Sequence, residues 1–236
     1  MEKRELLYEG KAKRLYATED KDVLLVEFKD SATAFNGEKK SEISGKGVLN
    51  NQITTLIFKK LKEENIPSHF IEKISDKEQL VKKVAIIPLE VVIRNTAAGS
   101  FSKRLGVEEG TPLKKPLVEF YYKDDALGDP LLIEDHIEEL AIASRDEVAT
   151  LKEKALEVNR VLSAFFKELD VNLIDFKLEF GKEADGSILL ADEISPDNCR
   201  LWDAKTNEKM DKDVFRRNLG SLTDAYEKIL AKLEGK

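Results

Sequence analysis

A strand with a charge at every second position fixes two surfaces at once. In IDFKLEFG, residues 174–181, Asp175, Lys177 and Glu179 alternate with Ile174, Phe176, Leu178 and Phe180. Side chains alternate across a strand, so the three charged groups share one side and the four apolar ones the other. The turn residues EADGS then pair 173–181 with SILLADEI, 187–194, as an antiparallel hairpin. The partner strand is apolar in both parities, as in a strand buried on both faces, until it ends in Asp192 and Glu193. Carboxylates at such a place need partners, because an isolated buried charge is costly. A solvated hairpin with cross-strand ion pairs satisfies the pattern. So does a cleft floor on which Glu179 and one of Asp192 or Glu193 hold a metal ion while Lys177 meets a phosphate. Spacing alone does not separate the two.

Composition narrows the setting. The 236 residues suffice for one large domain or two small ones, and 42% hydrophobic with 36% charged residues describes a soluble chain with a heavily charged surface. A net charge of -7 argues against general nucleic-acid binding. The single cysteine, Cys199, excludes an intrachain disulfide framework, and two histidines, His69 and His136, leave little for a zinc site. A metal here is expected to be hard and oxygen-liganded, magnesium above all. MEKRELLYEG has no apolar leader core, and no apolar run approaches 18 residues, so membrane association is not expected and the cytoplasm is the default location.

Strands dominate early and mix with helices later, which predicts an α+β fold rather than regular βαβ alternation. ELLYEG and KRLYAT flank Gly10-Lys11-Ala12 as two strands and a turn, and VLLVEF, 23–28, is a third strand. Residues 35–47 read as a mobile polar loop. Val48, Ile53, Leu56, Ile57 and Leu61 mark a helix ending near Asn65 and Pro67. HFIEKI and QLVKKVAII suggest a hairpin, and Pro88 breaks the following apolar run, so a domain hinge is expected there, dividing 1–87 from 88–236. Lys103 to Asp129 reads as irregular, with turns at Gly106, Gly110 and Pro112. Ser144 and Glu147 fit a capping box before a long apolar stripe through Leu169. A last helix is expected to carry Phe215, Leu219, Leu222, Tyr226, Ile229 and Leu233.

Three further segments suit anions. In YEGKAKRLY, 8–16, Gly10 lets a backbone approach phosphate, and Lys11 and Lys13 share a side; the second glycine and the helix of a Walker loop are missing. In RNTAAGSFSKR, 94–104, Arg94 ends an apolar strand ahead of small residues and the hydroxyls of Ser100 and Ser102. In SPDNCRLWD, 195–203, Arg200 can reach the same cleft, whereas Trp202 reads as a core or rim aromatic and Cys199 as an inert small residue. KDDALGDP adds Lys123 and Asp129 on a turn. Each segment alone is also explained by an ordinary hairpin or loop with surface cations.

Taken in order, YEGKAKRLY, LNNQIT, VVIRNTAAGSFSKRLG, KDDALGDP, NLIDFKLEFG, DEISPDNCRLWD and KMDKDVFR resemble the phosphoribosylaminoimidazole-succinocarboxamide synthase (SAICAR synthetase) family, across about residues 8 to 226. The resemblance implies a ligase of purine biosynthesis that joins carboxyaminoimidazole ribotide to L-aspartate and converts ATP to ADP and phosphate by way of an acyl phosphate. It implies a two-layer, ATP-grasp-like fold with ATP between an N-terminal lid, 1–87, and a metal- and substrate-binding part, 88–236. Lys11, Ala12 and Lys13 then belong to the lid over the phosphates, Lys123 to the ATP site, Lys177 to the nucleotide phosphate or the substrate carboxylate, and Glu179 and Asp192 to magnesium. Adenine is expected near 81–88, walled by Leu25, Val84 and Leu178. Arg94, Ser100 and Arg200 take the ribotide phosphate and its surroundings, and Asp129 and Asp175 orient the ribotide or the incoming amine. Lys177 and Asp175 are the expected catalytic pair. A homodimer is the expected assembly, and Cys199 stands where glycine or a small polar residue is expected. A small-molecule kinase or a non-catalytic nucleotide sensor on the same scaffold are the competing readings.

Overall fold

The computed structural model describes residues 2–34 and 37–235. It opens with strands β1 (Leu6–Glu9), β2 (Lys13–Ala17) and β3 (Val23–Phe28), then a small hairpin of β4 (Ser31–Ala34) and β5 (Lys39–Glu42) and helix α1 (Lys46–Glu63). Strands β6 (Phe70–Lys73) and β7 (Glu78–Lys82) form the next hairpin and join β1–β3 in one antiparallel sheet of order β1-β2-β3-β7-β6. A second sheet uses β8 (Ala85–Thr96), β9 (Pro112–Tyr122) and β10 (Leu131–Leu132), with α2 (Gly99–Leu105) between the first two. It is completed, after α3 (Glu134–Glu139) and α4 (Arg145–Glu168), by β11 (Val171–Lys182), β12 (Ile188–Ala191) and β13 (Cys199–Asp203). Short α5 (Asp213–Arg216) and α6 (Leu222–Glu234) end the chain. The architecture is mixed α+β with antiparallel sheets, and no helix among the described residues is long and apolar enough to cross a membrane.

Strand β11 is the spine of the second sheet. One of its edges pairs with β8 from Asp175 to Lys182, in the register Asp175–Arg94, Lys177–Val92 and Glu179–Glu90. The other edge is divided: β13 pairs with Val171 to Phe176 and β12 with Glu179 to Lys182. The connection 192–198 fills the gap between them, and the Lys177 amide donates to the Asn198 carbonyl. The alternation read from sequence therefore builds one apolar and one charged face. Leu89, Val91, Ile93, Phe120, Phe176, Leu178 and Phe180 enter the main core together with Leu151, Val158 and Leu162 of α4. Burying one such side chain contributes roughly 1.5–3 kcal/mol. Glu90, Arg94, Glu119, Tyr121, Asp175, Lys177 and Glu179 occupy the opposite face.

Several local expectations are corrected. Ile174 does not stay with Phe176: the register slips between Leu173 and Asp175, so Leu173 enters the core and Ile174 packs on Ala98 and Trp202 instead. Pro88 does not break its strand. It sits where the β8–β11 register shifts, a place at which the missing amide costs no ladder bond, and the chain changes sheets earlier, at Lys83-Val84. The 103–129 segment is not irregular, since it holds the 11-residue β9, whose lysine-rich start hides its period. Within 35–47, Lys39–Glu42 is a strand rather than loop; Phe35 and Asn36 lie outside the described residues. The last helix begins only at Ser221, whose hydroxyl caps Asp224, so Phe215 belongs to α5 and Leu219 is exposed. Ser144 and Glu147 do form the reciprocal capping box of α4.

Candidate active site

A cavity of about 620 Å3 opens between the two sheets. The β1–β2 turn brings Gly10, Lys11, Ala12 and Lys13 to it; β3 and the 81–86 crossing bring Leu24, Val26, Val81, Val84 and Ile86. The charged face of β11 contributes Lys177 and Glu179, the 123–129 turn Lys123, Asp125 and Asp129, and the 192–198 connection Asp192, Glu193, Asp197 and Asn198. Two residues expected as apolar walls are elsewhere. Leu25 and Leu178 have the wrong strand parity: Leu25 is buried on the side of β3 away from Leu24 and Val26, and Leu178 lies fully inside the main core. Leu15, Leu24, Val26, Val81 and Ile86 line the cavity with Val84 in their place. Val84 fits because Gly181 has no side chain; a Cβ there would lie 2.4 Å from Val84 Cγ2.

Ammonium groups engage the cavity's carboxylates one by one. Lys13 binds Asp192, Lys11 donates to Asp125 at 2.6 Å, and Lys123 and Lys177 meet Glu179 Oε1 at 2.7 and 2.9 Å. Lys177 also donates to Glu90 at 2.8 Å. Asp192 stands in a left-handed backbone conformation, φ 61°, which turns it out of the β12 line. Burial alone would raise its pKa, but Lys13, Lys177 and Lys123 hold the carboxyl well below the usual carboxylate range. Burial likewise opposes charge on Lys177, yet Glu179, Asp192 and Glu90 push its pKa well up. His69, also in the lining, is held neutral to about pH 3 by burial and by Lys13. Asp129 closes its own turn, accepting the Asp124 amide at 3.0 Å from a φ of 50°.

At the other end of the charged row of β11, about 13 Å from Glu179 at strand spacing, Asp175 meets arginines instead. Arg94 donates to Asp175 at 2.7 Å, to Glu119 at 2.6 Å, and to Ser100 and Tyr121. Arg200 donates to Asp175 at 2.9 Å and to Asp213 at 3.1 Å. Its guanidinium lies where a Cβ on Gly99 would fall, within 2.4 Å, and Gly99 has φ 55°, so glycine is required twice over. Arg94, Ser100, Asp175 and Arg200, drawn from four separate segments, thus form one cluster that adjoins the cavity without lining it.

Sequence reasoning missed a third layer. Lys46, fully buried, and Tyr226 and Asn50 all bond Asp197, which they hold beneath the cavity; burial pushes that carboxyl up, and Lys212 and Lys46 bring it well below the ordinary range. Lys46 sits in a glycine-flanked polar run, Asn50 in LNNQIT, and Tyr226 in a helical stripe, so periodicity assigns them to loop or core. Glu90 and Asp125 were also missed, each an ordinary acid until its lysine is placed.

Lysines over paired carboxylates, beside an arginine cluster, make the cavity and its surroundings chemically suited to anions. The sequence matches the SAICAR synthetase family over residues 6–233. It is 64% identical to the phosphoribosylaminoimidazole-succinocarboxamide synthase of Lysinibacillus sphaericus, with 100% of both chains aligned. The fold superposes on the synthase from Ehrlichia chaffeensis with a TM-score of 0.95 at 48% identity, covering 98% of each chain, and on a SAICAR synthetase in complex with ADP with 0.94 at 49% identity, covering 97% of each. The class is therefore that of the ATP-dependent carbon–nitrogen ligases. Within it, this chain belongs to the SAICAR synthetase family.

Proposed function

We propose that the protein condenses carboxyaminoimidazole ribotide with L-aspartate, converting ATP to ADP and phosphate, in purine biosynthesis. One observation carries the assignment of parts: a single charged row, Asp175, Lys177 and Glu179, runs from the arginine cluster to the lysine-rich cavity. In this reading the nucleotide lies in the cavity between the two sheets, an ATP-grasp-like arrangement, with residues 1–87 as lid and wall and 88–236 as the metal and substrate side. Adenine takes the apolar end near Val84, and Lys11, Ala12 and Lys13 cover the phosphates. Arg94, Ser100 and Arg200 hold the ribotide phosphate, for which guanidinium forks are suited, while Asp175 keeps both arginines in place. Lys177, midway along the row, meets the ribotide carboxylate and the transferring phosphoryl group together.

Glu179 and Asp192 form a hard, all-oxygen donor pair on one cavity wall, each already drawing ammonium groups, and this fits magnesium, which takes one or two carboxylates beside phosphate oxygens and water. When bound, magnesium neutralises charge on the phosphoryl oxygens. Lys13, Lys123 and Lys177 then exchange carboxylate for phosphate partners. The chemistry needs this arrangement because a carboxylate is a poor acyl donor. Phosphoryl transfer makes it an acyl phosphate, the amine of aspartate attacks the acyl carbon, and phosphate and a proton leave. The protein acts by positioning and by fixed charge. A homodimer is proposed as the assembly.

The test is ADP release with each reactant omitted in turn. Release that requires ATP, the ribotide and L-aspartate together supports the ligase. Release without aspartate supports a kinase, and nucleotide binding without release supports a sensor.

A further inference from the structure

A second cavity, of about 830 Å3, lies at the start of β11 and shares no lining residue with the one between the sheets. Its cause is a parting of strands. β8 pairs with β11 only from Asp175 onward, and before that point β11 pairs with β13 alone. The β8–β9 register also slips between Arg94 and Thr96. Asn95, Thr96, Pro112 and Pro116 line one side of the resulting gap and Val171 to Ile174 the other. Inside it the Asn95 amide donates to the Leu173 carbonyl at 3.1 Å and to Asn159 at 2.8 Å, and Asn159 donates back at 3.0 Å, so these inner polar groups satisfy one another.

The outer wall is not satisfied. Trp202 is 6% exposed, and its indole Nε1 is wholly buried without an acceptor, which is costly. The Lys209 ammonium lies 4.1 Å from the centre of that ring, kept there by a backbone bridge between the two residues. Lys209 also donates to Glu109 at 2.7 Å, but Glu109 does not depend on it, because Arg217 donates to both of its oxygens, at 2.9 and 2.5 Å. Arg217 foremost, against burial and with the help of Lys209, brings the Glu109 carboxyl down to about 2. Lys209 can therefore turn to another anion while Glu109 stays charged and paired. Lys167, exposed in the same lining, makes no hydrogen bond or ion pair with any described residue. The groups without a fixed partner are thus donors, two of them cations, beside the apolar surface of Pro112, Pro116, Val171 and Ile174. A space of this size is that of a small-molecule site.

We propose that this second cavity binds a small organic anion, whose carboxylate or phosphate group meets Lys209 and the Trp202 N–H, with Lys167 at the rim, and whose apolar body lies against the prolines. A cation would meet only like charge, and a bare inorganic ion would leave the apolar wall uncovered. Ile174 and Trp202 pack together on Ala98, and the chain next to them carries Asp175, Gly99 and Ser100, so an occupant lies one layer behind the arginine cluster.

Trp202 is the only tryptophan, so its fluorescence reads the cavity directly. Full-length protein is titrated with benzoate and with phenyl phosphate, with benzamide as the neutral control and inorganic phosphate as the anion without a body. A saturable change with at least one of the two acids is expected, at a Kd of ~10 mM or tighter, the range open to a fragment-sized ligand, and the tighter of the two tells a carboxylate site from a phosphate site. Lys209→Met should weaken that binding at least ~10-fold, the size of one lost charge-assisted hydrogen bond, and Lys209→Arg should restore part of it. Lys13→Ala, in the other cavity, should leave it unchanged. The site is overturned by the absence of a saturable change with either acid, by benzamide or inorganic phosphate binding as tightly, or by binding unchanged in Lys209→Met. Binding lost in Lys13→Ala also overturns it and places the anion between the sheets. Should Lys209→Met not fold, dialysis of the same acid against Trp202→Phe, which lacks the N–H donor, decides in its place, and undiminished binding there overturns the site.

Discussion

The two ends of β11 use carboxylates differently. At Glu179 the partners are two lysines, Lys177 of the same strand and Lys123 of the 123–129 turn, with side chains 26% and 39% exposed. At Asp175 the partners are arginine forks, with Arg94 only 4% exposed and bonded on every side. An ammonium on a flexible stem exchanges one anion for another at little cost, whereas a buried, bidentate guanidinium is built into its surroundings. The lysine end is suited to charge that comes and goes with each turnover, and the arginine end to an anion that must be held in a fixed place. The contrast teaches that equal charge counts do not mean equal roles in the fold.

Substitutions at the two ends should therefore fail in different ways. The largest effect is expected from Glu179→Gln, a loss of turnover on the order of 10²-fold or more, since the carboxylate faces developing charge. Its thermal unfolding should stay close to wild type, because its lysines can reach water; a large drop in Tm would erase the contrast. Arg94→Ala should instead lose stability, by roughly 1–3 kcal/mol, because it removes the cation that Asp175 and Glu119 share and leaves them only Arg200 and Arg104. The same variant should raise the KM for ribotide more than that for ATP; a shift confined to ATP would move Arg94 out of the ribotide cluster. Lys13→Ala is predicted to raise the KM for ATP about 10-fold with a stability change below about 1 kcal/mol. Equal activity at limiting ATP would remove Lys13 from the lid.

A change in stability alone sharpens the arginine end through pH. Burial, then the neighbouring Asp213, raises the Asp211 carboxyl to about 7, although the Leu201 and Asp213 amides both donate to it. A folded pKa above the unfolded value means that the stabilisation is fully present below about pH 4 and is lost as pH rises through about 7. Asp211→Asn should lack this slope, so its difference in stability from wild type should change steadily between pH 4 and 7. Parallel pH profiles of the two proteins would show that Asp211 titrates normally. Asp213 has the opposite sign. Burial opposes its charge, but Arg200 and Arg216 bring its pKa to about 2, so its contribution is present at neutral pH and lost only in strong acid.

Much of this molecule was legible before folding. Alternation in 174–181 predicted the two-faced strand, Ser144 and Glu147 the start of α4, and the order of motifs the family. Lys11, Lys13, Lys123 and Lys177, expected at phosphates, and Glu179 and Asp192, expected at a metal, are brought by the fold to one cavity. The failures share a cause. Leu25 and Leu178 were chosen for apolarity and nearness in sequence, but which face of a strand looks at the cavity depends on what packs against the other. Pro88 and Ile174 lie at bulges, where register is set by the neighbouring strand. Lys46 and Tyr226 carried no local signal, because each is an unremarkable residue until Asp197 reaches it.

The sequence by itself determined the periodicities, the caps and the residue types able to bind phosphate, because these depend on neighbours along the chain. Only the tertiary structure decided which charges meet. The division of one β11 edge between β12 and β13 opens the gap through which the 192–198 connection reaches Lys177, and no local preference encodes that juxtaposition. Pairing energies depend on distance and burial between segments far apart in sequence, so the site's charge pattern exists only once the chain has closed on itself.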